Sequence, residues 1–150
     1  LAAGFGVVAR GNGNNAFNSF RGYGYAYEPF AGVAGEMVLY RIVGGNIQDL
    51  GSQAVALDLA TKDYTFVLSV KGTQLHGQVF EIGGGMVAER FATDANFVSG
   101  TSGVFGYSSS VGGPSMHFTI DNFLTRVPEP TAAALLACGL AVVAFGRRFR

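Results

Sequence analysis

The chain has 150 residues, of which 49% are hydrophobic, 13% aromatic and 13% charged, with ten basic against ten acidic side chains. A balanced charge with no basic cluster outside the C-terminus excludes a nucleic-acid-binding surface. The one cysteine, Cys138, excludes a disulfide framework, and its place in the apolar tail leaves the rest of the chain without a catalytic thiol.

Leu1–Ala9 is apolar, no positive charge precedes it, and Arg10 follows on the wrong side for a signal peptide. The expectation is that upstream sequence is missing and that the fold is incomplete at its N-terminal edge. Gly4 to Arg10 is the first strand candidate, and Asn12-Gly13-Asn14-Asn15 is a loop. Gly22 to Tyr27 and Glu36 to Val43 follow as strands, with Gly44-Gly45-Asn46 as punctuation. Tyr64 to Lys71 alternates most cleanly: Tyr64, Phe66, Leu68 and Val70 share one face, and Thr65, Ser69 and Lys71 the other. Gly72-Thr73 turns it into Gln74 to Ile82, a predicted hairpin. Gly83-Gly84-Gly85 begins the next reversal, into Met86 to Phe91. Gly103 to Ser108 and Met116 to Leu124 complete the set, with Gly112-Gly113-Pro114 between them. Short strands at this spacing predict an all-β body, a β-sandwich or jelly roll over residues 1–126.

The tail is of another kind. Val127-Pro128-Glu129-Pro130 is followed by an uncharged run, Thr131 to Gly146, and then by Arg147, Arg148, Phe149 and Arg150. As a helix, residues 131–146 reach roughly 24 Å at about 1.5 Å per residue, enough to cross a core of about 30 Å when the arginines snorkel. The run shows no polar stripe, unlike a helix packed on a soluble core. The arginine cluster 147–150 places the C-terminus in the cytoplasm and residues 1–126 outside. Pro128 and Pro130 hold the preceding residues extended, as a protease substrate must be. Removing residues 127–150 takes away three arginines and Glu129, leaving seven basic and nine acidic residues and a net charge of −2.

Motif, span and basic end in this order resemble the PEP-CTERM sorting signal of exported bacterial proteins. The resemblance implies recognition and cutting by a membrane-embedded exosortase. The protein would sit transiently in the inner membrane and then pass to the cell surface or extracellular space. An uncut, permanent anchor is the alternative. A second resemblance lies in the body, where Asp63 to Gly72 and Asp94 to Gly106 resemble concanavalin A-like, laminin-G-type jelly rolls. Ile120-Asp121-Asn122-Phe123 resembles the strand that closes such domains.

No residue pattern here carries catalysis. Glu28, Glu36, Glu81 and Glu89 are scattered, with no Asp two residues on, so the paired carboxylates of glycosidases are missing. His76 and His117 read as solvated or packed side chains. Asp94, Asn96, Asp121 and Asn122 are the calcium candidates, since they supply hard oxygen ligands and laminin-G-type folds often hold calcium at a rim; the alternative is that they cap turns and strand ends. Tyr23, Tyr25, Tyr27 and Tyr40 are either a sugar-stacking face or sheet packing. The expectation is an exported, non-enzymatic structural or adhesive β-domain in contact with exopolysaccharide. The alternatives are an exported carbohydrate-active enzyme whose catalytic strand is missing, and a permanently anchored binding domain.

Overall fold

The computed structural model describes residues 3–13, 17–29, 34–108, 119–120 and 122–125. The chain divides into two units, 1–120 and 121–150, and the described strands all belong to the first. They are β1 (Ala3–Gly11), β2 (Arg21–Glu28), β3 (Glu36–Val43), β4 (Asn46–Ala54), β5 (Tyr64–Lys71), β6 (Gln74–Glu81), β7 (Met86–Thr93) and β8 (Thr101–Ser108). A single 3-10 turn, Phe17–Ser19, precedes β2. Five strands form one antiparallel sheet in the order β4-β3-β2-β1-β8, and three form another in the order β5-β6-β7. Consecutive strands stay within one sheet except at β4–β5 and β7–β8.

Alternation decides which face each residue takes. Tyr23, Tyr25 and Tyr27 point inward from β2, join Met37 and Leu39 of β3, and meet Leu75, Val79 and Ala88 of the small sheet. Phe66, Leu68 and Val70 of β5 pack on the same cluster, as its alternation predicts. One core holding residues of both sheets makes the first unit a β-sandwich. The sheets approach closely at Gly77, where a Cβ would stand 2.6 Å from the Tyr25 ring. At the β3–β4 hairpin, Gly44 (φ 58°) and Gly45 (φ 85°) supply the two left-handed residues that a tight hairpin turn demands.

A second apolar layer lies on the opposite face of the large sheet. Ala26, Val38, Tyr40 and Ile42 are buried there, with Phe20 and Phe105 packed against them. Phe105 and Tyr107 of β8 stack at 6.1 Å, and the Tyr40 and Tyr107 hydroxyls meet at 3.3 Å.

Two expectations need correcting. Asn46–Ala54 is a full strand, although Asn46 reads as turn and Gln48, Asp49, Gly51 and Ser52 hide the alternation. A register shift opposite Leu39 and Tyr40 breaks its period further. The predicted strand Met116 to Leu124 is absent from its described part: Thr119, Ile120 and Asn122–Leu124 have no regular structure. Ile120, Phe123 and Leu124 are exposed, so this stretch lacks the buried face that the prediction assumed. β1 is interior, paired with β2 on one side and β8 on the other.

Asn14, Asn15, the Gly112-Gly113-Pro114 turn, Met116, His117 and Asp121 lie outside the described residues, as does the whole tail, including Val127, Pro128, Glu129, Pro130, Cys138, Arg147, Arg148 and Arg150. Among the described residues no helix is long and apolar enough to cross a membrane; the run 131–146 is not among them.

Candidate functional site

The outer face of the small sheet carries the most open chemistry in the described residues. Leu75, Gly77 and Val79 of β6 are buried, so Gln74, His76 and Gln78 project outward. Register places Lys71, Ser69 and Val67 of β5 beside them on one side, and Thr93, Phe91 and Glu89 of β7 on the other. The His76 and Phe91 rings stack at 4.1 Å with 13° between their planes. His76 Nε2–H donates to Glu89 Oε1 at 2.7 Å, and Gln78 Nε2–H donates to the same oxygen at 3.3 Å. Phe91 is nevertheless 66% exposed. A depression of about 550 Å³ lies over Ser69, Lys71, Gln74, His76, Phe91 and Thr93, and another of about 320 Å³ lies beside Glu89, Met86 and Gln53.

β7 departs from the usual polarity of a strand. It turns Phe91 to solvent and sends its neighbour Arg90 to the inner side, opposite Gly77. Arg90 Nε is buried there without a hydrogen-bond partner, and its charge acts on the buried hydroxyl of Tyr25. Burial pushes that phenol up to about 12. Leaving the Arg90 Nε buried without a partner and exposing Phe91 both work against stability, which sets this strand apart from one shaped by packing alone.

The calcium candidates are disposed differently from the expectation. Asp94 is buried, and Oδ1 accepts from the Tyr23 hydroxyl at 2.7 Å and from Asn96 N–H at 2.9 Å. Oδ2 accepts from Arg41 Nη1 at 2.5 Å and Asn96 Nδ2 at 3.0 Å. Burial pushes the Asp94 carboxyl up, but the Asn96 backbone, Tyr23, the Asn96 amide and Arg41 together hold it below the ordinary carboxylate range. Asp94 and Asn96 thus cap a turn, as the alternative reading has it, and a guanidinium already supplies the positive charge. Asn122 is exposed in the second unit, and Asp121 lies outside the described residues.

The tyrosines do not form a sugar platform. Tyr23, Tyr25 and Tyr27 are core residues, and Tyr40 is buried on the opposite face of the same sheet. Glu28 and Glu36 prove less scattered than they read, since they stand opposite each other in register on β2 and β3. The Tyr107 hydroxyl donates to Glu28, and burial first, then this carboxylate, pushes the phenol up. The partnership of Phe91 and Glu89 with His76 escapes the sequence reading because only the β6–β7 register brings them together, whereas Gln74 and Gln78 share its face by alternation. The Glu89-Arg90-Phe91 order is the one local signal, visible once Ala88, Arg90 and Ala92 of β7 are known to take the inner side. In comparisons with known proteins, no family model, curated protein or solved structure matches this chain.

Proposed function

We propose that this protein is exported through its sorting tail to the cell surface or extracellular matrix. There its β-sandwich serves as a non-enzymatic binding module in contact with exopolysaccharide. The outward-facing Phe91–His76 stack, ringed by amides and hydroxyls, carries the binding half of this reading. Aromatic rings take the apolar faces of sugars, while Gln, Ser and Thr side chains take their hydroxyls. The export half rests on the order of Val127–Pro130, the apolar run and the terminal arginines. Exosortase is the processing partner that this order implies. The concanavalin A-like, laminin-G-type likeness draws support from the two facing sheets and rests for its detail on residues 63–72 and 94–106. Intact mass of the protein recovered from the host's envelope and medium tests the export half. A species ending near residue 130 supports processing. A full-length chain confined to membranes replaces release with permanent anchoring, and a full-length chain in the cytoplasm refutes export.

A further inference from the structure

We infer that the outer face of β5-β6-β7 selects an uncharged polysaccharide and lays it across Phe91. This rests on the proposal that the face binds polysaccharide and adds the class of polymer. Charge is the first argument. Lys71 and Glu89 are the charged residues that project from this face, and they cancel. One oxygen of Glu89, Oε1, already takes both His76 and Gln78, and a single half-exposed carboxylate is too little for a cationic polymer. A single Lys71 is too little for a polyanion, whose binding grows with each neutralised charge.

Shape and hydrogen-bonding capacity supply the rest. Gln74 and Gln78 offer donors and acceptors together, and Ser69 and Thr93 add hydroxyls, a set that suits a polymer dense in neutral hydroxyl groups. His76 covers one side of the Phe91 ring and fixes it, while most of the ring stays open to stack on a sugar. The depression beside Phe91 is an open trough, which suits a chain that passes across the sheet.

The test immobilises the full chain, held in a non-ionic polyoxyethylene detergent, and measures binding of hydroxyethyl cellulose, alginate and chitosan at low and high salt. The neutral polymer should bind with no loss at high salt, and Phe91→Ala should weaken it by about tenfold or more. Phe91→Tyr should bind as the native chain does, and Val98→Ala, at a residue 84% exposed in the β7–β8 connection, should change nothing. Salt-sensitive binding of alginate or chitosan alone would overturn the uncharged class and leave polysaccharide binding standing. Neutral binding that survives Phe91→Ala would move the site off this face. Failure to bind all three polymers would overturn the inference and the binding half of the proposed function together.

Discussion

Asp94→Asn isolates the polar knot that joins the two sheets. The native carboxylate, 7% exposed, receives Tyr23 and Asn96 N–H on one oxygen, Arg41 on the other, and the Asn96 amide across both. An asparagine keeps one acceptor oxygen. Its NH2 then faces Arg41 and Asn96, donors against donors, and flipping the amide only moves the conflict to Tyr23 and the Asn96 backbone. The Arg41 ion pair is lost, at roughly 1.5–3 kcal/mol, and the bonds left on Oδ1, the Asn96 amide's among them, lose the carboxylate's charge. Arg41 is 22% exposed and keeps Gln48, so water and that amide recover part of the loss. The net cost is about 3 kcal/mol, which lowers Tm by about 10 °C in a domain of this size. The effect has a definite pH dependence. Because the folded carboxyl titrates below its ordinary value, its contribution is full above about pH 4 and is lost as pH falls through the depressed value. Calorimetry of both proteins from neutral pH downward should therefore show a gap that narrows in acid. A loss of less than about 2 °C at neutral pH, or a gap unchanged in acid, would refute the reasoning.

Gly77→Ala should destabilise by about 1–3 kcal/mol in denaturant titration, because the Tyr25 ring 2.6 Å from the new Cβ is fully buried and has nowhere to go. Arg10 has φ 53° and donates Nη1–H to Gly72 O and Phe97 O at 2.7 Å each; Arg10→Ala loses both bonds and keeps the left-handed strain. Arg10→Gly should be more stable than Arg10→Ala by about 1 kcal/mol, and the reverse order would show that the backbone is not strained there. Tyr25, pushed up to about 12, should ionise in an absorbance titration well after exposed phenols near about 10, in a step that Tyr25→Phe removes. Its folded pKa is raised, so the associated stability is full below about pH 10 and is lost as pH rises toward about 12.

The local grammar of this fold was legible, and its tertiary choices were not. β3 and β5 have the predicted bounds, because runs such as Tyr64 to Lys71 keep one face apolar throughout and end at glycine turns. β4 was hidden because it pairs through its backbone while presenting polar and small side chains. Period alone also left open which tyrosines face the core. Alternation grouped Tyr23, Tyr25 and Tyr27, but only the covering sheet makes their face the interior. The candidate site was least legible, since His76, Glu89 and Phe91 meet through register across a hairpin. Nothing in a linear reading distinguishes that meeting from one strand's ordinary polar side.

The interior position of β1 governs the order in which the sandwich can be completed. β2 can dock on β1 early, across a short loop, but β8 supplies the other flank, with Ala3 opposite Ser108 and Gly11 opposite Thr101. That closure spans nearly the whole first unit, and closing so long a loop slows folding. Until β8 arrives, β1 presents a bare row of amides and carbonyls, so a nascent chain stays pairing-competent and unfinished until almost its last strand is made. Slow completion of this kind would suit a chain that crosses a membrane before it folds, one way to reach the surface location we propose.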